Sequence, residues 1–167
     1  IDSVLHLAPL SEPERPEDPK NSAIKVEDVS FSYDGEKDAL KHVSLSIEPG
    51  QTVAFVGPSG GGKTTLASLL SRFFDAQSGR ILIGGVDIRN ISKETLMNTV
   101  SFVFQDSRLI KASILENVRM GRPGASRQQV MDALEAAQCM DIIEKLPNGV
   151  DTVIGTKGVY LSGGEQQ

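Results

Sequence analysis

"GPSGGGKT", residues 57–64, is the stretch from which the rest of the chain can be read. It satisfies G-x-x-x-x-G-K-[ST] at every position. Glycine accepts backbone angles that other residues resist, so successive N–H groups can point into one concavity. A helix starting there adds its unpaired first-turn N–H groups and its dipole, both of which favour an anion. Lys63 can then reach a terminal phosphate, and Thr64 can offer its hydroxyl to a magnesium ion. The flanks agree. "TVAFV" at 52–56 is short, apolar and rich in β-formers, which predicts a buried strand. "KTTLASLLSRFF" at 63–74 places Leu66, Leu69, Leu70 and Phe73 on one helical face. Strand, glycine loop and amphipathic helix together point to a nucleoside triphosphate site rather than to a flexible turn. Its candidate ligands are Gly57, Ser59, Gly60, Gly61, Gly62, Lys63, Thr64 and Thr65.

Outward toward the N-terminus, "AIKVEDVSFSY" (23–33) and "HVSLSIEPG" (42–50) alternate apolar and polar residues, as half-exposed neighbouring strands do. Residues 8–23 hold four of the eight prolines among charges. That composition predicts an extended linker that cannot order itself by burial. Ile1, Val4, Leu5 and Ala8 fall at helical spacing, suiting either the end of a helix entering from upstream or a frayed terminus. The expected division is therefore 1–23 as helix end and linker, and 24–167 as body. Toward the C-terminus, "GRILIGG" (79–85) and "TVSFVFQ" (99–105) predict further strands. "SKETLMN" (92–98) predicts a short helix capped by Ser92. Residues 107–167 predict a helical block. In it Ser126 and Gln129 form a capping box, Val130, Leu134 and Ala137 a buried stripe, and "PNG" (147–149) a turn.

The totals exclude several classes. The chain has 167 residues, 39% hydrophobic, enough for a core. A net charge of −5 disfavours a nucleic-acid surface. No apolar run approaches the ~20 residues of a membrane span. The first residues do not read as a secretory signal. Cys139, the single cysteine, reads as a packed thiol, so no internal disulfide is expected and a reducing cytoplasm suits the chain. His6 and His42 read as surface or packing residues.

"LSGGEQQ" (161–167) resembles the signature sequence of ATP-binding cassette (ABC) proteins, and it begins at residue 161 where the phosphate loop ends at 64. Between them lie a strand ending in Gln105 and a helical block, which is the family's order. Tyr33, in "VSFSYDG", matches the family's adenine-stacking aromatic. Gln105, in "FVFQDSRLI", matches the glutamine that contacts magnesium and the attacking water. "TKGVY" (156–160) and "SILENVRMGRPGAS" (113–126) are similar to segments of exporter-type transporters, and "GVYLSGGEQQ" to a bacterial branch that includes siderophore-iron importers. The resemblance implies an α/β P-loop NTPase of the ABC type. Its parts would be an N-terminal antiparallel β subdomain, a partial parallel core sheet and a helical subdomain from about residue 107 to 167. It also implies ATP and Mg2+, with Lys63 and Gln105 catalytic and Thr64 and Gln105 on the metal. A transmembrane domain fused upstream is implied, as is placement at the cytoplasmic face of the membrane.

In the family two cassettes, identical or different, pair head to tail. Ser162, Gly163 and Gly164 would then close in trans over the partner's nucleotide. The family's Asp-Glu strand, catalytic glutamate and switch histidine follow the signature, so the fold is expected to be truncated before that strand and the chain alone to lack turnover. "TVAFV" would then lack neighbours, and the signature helix would run to only about four residues, against the ~12–15 of a marginal isolated helix. A soluble ABC ATPase that transports nothing, and a truncated non-catalytic binding module, are the alternatives.

Overall fold

Ile24 and Val26 are two residues apart, as are Val29 and Phe31, yet the two pairs are out of step by one. A strand of strict period two cannot turn all four to one face. A computed structural model, describing residues 10–104, 108–155 and 161–167, shows the solution. Strand β1 (Ile24–Ser32) pairs antiparallel with β2 (Asp38–Ile47), matching Val26 to Leu45 but Val29 to Val43. One extra residue therefore bulges from β1, and Asp28 takes a left-handed φ of 52° there. Between Val29↔Val43 and Phe31↔Leu40 the extra residue lies on β2, where His42 has φ 49°. The β1 bulge brings Val26 into phase with Val29 and Phe31, and all three are buried.

On the other side β1 pairs antiparallel with β3 (Ser78–Ile83), which turns into β4 (Val86–Asp87), giving the order β2-β1-β3-β4. Gly79 sits against the bulge. Its φ is 76°, and a Cβ there would lie 2.3 Å from the Glu27 carbonyl oxygen and 2.4 Å from that of Asp28. Helix α1 (Lys63–Leu70) packs Leu66 and Leu69 into the same core as Val26, Val29, Ile81 and Ile83. A 3-10 turn at Ile88–Asn90 leads to α2 (Lys93–Thr99), whose Ser92 cap accepts from the Thr95 amide as the sequence predicts. Phe73 lies past the end of α1, 43% exposed, with its ring on Phe102.

Residues 52–56 and 99–104 carry no strand pairing among the described residues, so the expected partial parallel sheet is not formed there, while the want of neighbours for 52–56 is as expected. A strand is defined by its neighbour, and an apolar run without one stays open: Val56 is 93% exposed. The proline-rich residues from 10 to 23 contain no helix or strand, but they are docked rather than loose. Six of them hydrogen-bond to the 3-10 turn, the β3–β4 turn, the start of α2 and Arg72. Polar contacts replace the burial that their composition lacks.

The chain divides into two compact units, Ile1–Phe102 and Val103–Gln167. In the second, helices α3 (Ile114–Arg119), α4 (Arg127–Ala136) and α5 (Met140–Glu144) enclose a core of Ile114, Val130, Leu134, Ile143, Val150 and Ile154. Ser113–Glu116 and Ser126–Gln129 form full capping boxes at α3 and α4. Ala137, expected in the buried stripe, is the exposed C-cap of α4. Cys139 is half-buried at the start of α5, its thiol directed at the Ala137 carbonyl. The last element is α6 (Gly163–Gln166).

The bulge yields a test. Gly79→Ala should cost close to the top of the range of about 1–3 kcal/mol for a strained residue, because strain and carbonyl clash add. Gly85→Ala, at φ 83° but with nothing within 4 Å of its Cβ position, should cost distinctly less. Equal shifts of the two denaturation midpoints would contradict the bulge packing.

Candidate functional site

The loop of residues 57–62 is shaped by a turn in which the Gly61 amide donates to the Pro58 carbonyl at 3.1 Å. Gly62 ends it as the N-cap of α1, with φ 79°. A Cβ on Gly62 would lie 2.6 Å from both the Ala39 carbonyl oxygen and Leu40 Cδ2, so β2 passes too close for any side chain. Helices α2, α3, α4 and α6 each begin under a serine hydroxyl; α1, like the five-residue α5, has no side-chain cap. The amides of Lys63, Thr64 and Thr65 therefore have no acceptor within the helix or from a capping side chain, and the positive end of the dipole stays open. Lys63 Nζ donates to the carbonyls of Gly57 (2.9 Å) and Pro58 (2.7 Å), which parks its ammonium on the loop itself. Ser59, Gly60 and Thr64 are exposed. Open amides, left-handed glycines and an ammonium held only by carbonyls form a donor set without a resident acceptor of negative charge. That set fits a polyphosphate.

Thr65 faces the other way and is buried, and its Oγ1 accepts from the Tyr33 hydroxyl at 3.2 Å. Tyr33 is thus tied to the phosphate-loop helix across 32 positions of sequence. Its ring stands edge-on to Phe31 (centroids 5.0 Å) and Phe74 (5.5 Å), while 60% of the residue remains exposed. A rigid, largely open aromatic near the loop suits stacking on a flat base. The turn after it is held by Asp34. Its carboxylate accepts from the amides of Lys37 and Glu36 and from the Ser32 hydroxyl, and these bonds lower its pKa to about 2. Sequence reading missed Asp34, although Asp-Gly after a strand is a turn pattern with a known mechanism. Gln105 and the segment 156–160 lie outside the described residues.

In the second unit Ser162 caps α6. Its hydroxyl accepts from the Glu165 amide, and both its amide and its hydroxyl donate to Glu165 Oε2 at 2.7 Å. The Ser162 amide, then its hydroxyl, hold the Glu165 carboxyl below its ordinary value. Glu165 had gone unremarked as a partner, although S-x-x-E spells a capping box. Gly163 and Gly164 meet nothing within 4 Å of their Cβ positions, and neither has a positive φ. Packing among the described residues does not require glycine at either place. Among the described residues no cluster of three His, Cys, Asp or Glu gathers to hold a metal.

A family model described as "ABC transporter" matches residues 40–167. A β-(1→2)-glucan export ATP-binding/permease protein of Rhizobium johnstonii is 47% identical over 87% of this chain and 25% of its own length. An uncharacterized ABC transporter ATP-binding protein of Bacillus subtilis is 43% identical over 95% of this chain and 28% of its own. The mitochondrial iron-sulfur clusters transporter of Kluyveromyces lactis is 44% identical over 86% and 20%. A solved bacterial Atm1-family ABC exporter with ATP bound superposes with a TM-score of 0.89 at 38% identity, covering 99% of this chain and 29% of that one. The chain thus spans between a fifth and a little over a quarter of the curated relatives it matches.

The Asp34 turn is testable by acid titration. Its folded pKa is depressed from 3.8 to about 2, so its contribution is fully present above pH 3.8 and is lost as pH falls through 2. The Glu36 and Lys37 amide resonances should titrate together with a midpoint near 2. Asp34→Ala should abolish that titration; a midpoint at the ordinary carboxylate value would refute the turn.

Proposed function

The chain belongs to the ABC transporter family, and from that membership we propose that it is the ATP-binding part of a transport ATPase. The observation that carries this reading is the uncapped start of α1 beside the Lys63 ammonium. Backbone amides of Gly57, Ser59, Gly60, Gly62, Lys63, Thr64 and Thr65 hold the phosphates, Gly61 turns the loop through its bond to the Pro58 carbonyl, and the Lys63 ammonium lies on the terminal groups. Tyr33 stacks on the base, and its tie to Thr65 fixes base and phosphate ends to one helix. Thr64 and Gln105 hold magnesium, which when bound neutralises charge on the phosphate oxygens. Phosphoryl transfer needs positioning and charge stabilisation more than covalent help, and the loop supplies both.

The second half of the proposal concerns assembly. Ser162, Gly163 and Gly164 serve a nucleotide held by another cassette, of the same or a different subunit. What supports this is the open space around both glycines: nothing among the described residues needs their smallness, whereas a close-approaching ligand would. The relatives named as ATP-binding/permease proteins support a transmembrane partner in the same protein and a place at the cytoplasmic face of a membrane. No helix among the described residues is long and apolar enough to cross one. The named cargoes of the relatives differ, a glucan in one and iron-sulfur clusters in another, so transport is proposed here without a cargo.

Two measurements on the full-length protein test the two halves. Lys63→Ala removes a charged donor and should weaken MgATP about 10- to 100-fold by calorimetry; unchanged affinity would sink the nucleotide site. Gly163→Val finds room in its own chain, so folding and ATP binding should persist while ATP-driven pairing of cassettes in sedimentation is lost. Pairing as in the wild type would exclude the signature from the interface.

A further inference from the structure

The docked residues 11–21 form a strap whose contacts can be followed in order. The Lys20 amide donates to the Gly84 carbonyl at 3.2 Å, and a Cβ on Gly84 would lie 2.6 Å from Lys20 N, so the two backbones are pressed together. The Glu17 amide donates to the Asn90 carbonyl at 2.8 Å, and Asn90 Nδ2 returns a bond to the Glu17 carboxylate at 3.3 Å. Asp18 accepts from the Thr95 hydroxyl at 3.4 Å. Glu12 accepts from the Lys93 amide at 3.2 Å, placing a negative charge at the first turn of α2 where the dipole favours it. At the end of the strap, the Ser11 carbonyl accepts from Arg72 Nη2 at 2.8 Å.

Arg72 is unlike the other arginines of the described residues, being the one that is buried, with its side chain only 5% exposed. Its guanidinium pairs with Asp75 through Nε at 2.9 Å and Nη2 at 3.4 Å, and Nη2 makes its shorter bond, 2.8 Å, to the strap carbonyl of Ser11. Its backbone belongs to the other end of the nucleotide helix. The Arg72 amide donates to Leu69 O at 3.0 Å and closes the last turn of α1, in a left-handed conformation with φ 52°. One residue therefore has its main chain in the helix that presents Lys63 and Thr64, and its side chain in the strap. Lifting the strap removes an acceptor from a buried charged donor, a cost that falls where α1 ends.

We propose that Arg72 is a positioning residue through which the strap 11–21 sets the affinity of the phosphate loop. This rests on the reading of that loop as a nucleotide site. With the strap docked, Arg72 is satisfied and the end of α1 is held. With the strap lifted, the turn at 69–73 loosens and the loop at the other end of an eight-residue helix binds nucleotide more weakly. Linkage makes the effect reciprocal: nucleotide favours the docked strap.

The test uses the full-length protein, with MgATP as ligand. Arg72→Gln cuts the tie directly. The double variant Glu17→Pro/Lys20→Pro removes two strap donors without touching α1 or the loop. Both should weaken MgATP about fivefold and raise KM with kcat unchanged. Arg72→Lys, which keeps the charge but cannot span both partners, should fall between Arg72→Gln and the wild type. In hydrogen exchange the Glu17 and Lys20 amides of the wild type should be protected, and more so with ATP present. A lower melting temperature in the double variant with unaltered MgATP affinity would make the strap merely structural and overturn the proposal. Free exchange of the Glu17 and Lys20 amides in the wild type would overturn it as well. Failure of the wild type to bind ATP at all would overturn the nucleotide-site reading, and this one with it.

Discussion

A helix begins with amides that have nothing inside the helix to bond to, and the architecture of the first unit is arranged around one such beginning. At α1 the position that should carry a capping side chain is Gly62, and Ala39 and Leu40 of β2 stand where any side chain would go. The exclusion is steric and comes from the sheet, so the open amides are a consequence of how β2 crosses the loop. Around that opening the chain places an ammonium on the loop carbonyls, an aromatic tied to the second residue after Lys63, and an arginine at the far end of the helix. Lys63 is the first residue of α1, Tyr33 bonds to it through Thr65 and Arg72 through the Leu69 carbonyl, so the geometry of the site follows one short helix.

That helix cannot hold itself. Eight residues fall short of the ~12–15 that give even marginal helicity in isolation, so its position comes from packing. Leu66 and Leu69, nearly or fully buried, contribute about 1.5–3 kcal/mol each against the sheet, an upper figure because unfolded chains already bury some surface. The sheet in turn presents a continuous inner face only because a bulge in β1 brings Val26 into phase with Val29 and Phe31. Phe31 then supports Tyr33 through their edge-on contact. Strain at Asp28 is thus linked, through packing, to where a base and a phosphate chain could lie.

What could be read from sequence was what is settled within a few residues. The phosphate loop, the Ser92 cap and the Ser126–Gln129 box are local chemistry, and the structure has them where spacing puts them. The strap was misread because its partners lie 61 to 81 positions away, and composition reports what a segment can bury, not which distant donors await it. Residues 52–56 show the complementary limit. Apolar β-formers announce a tendency to pair, but a ladder also needs the other strand, and among the described residues none is there. The phase slip between Val26 and Val29 was visible in the letters and became meaningful only once both ladders were known.

The start of α6 carries the same logic with the opposite local solution. Ser162 and Glu165 bond to each other three times over, so the turn is set before anything binds and no ordering cost remains to be met by a ligand. The Ser162 amide and hydroxyl are held in place by the carboxylate, beside the backbone of Gly163 and Gly164. At α1 a capping side chain is kept out and the opening is completed by cationic and aromatic groups of the same chain. At α6 the cap is present, and among the described residues nothing stands within 4 Å of where a Cβ on either glycine would lie.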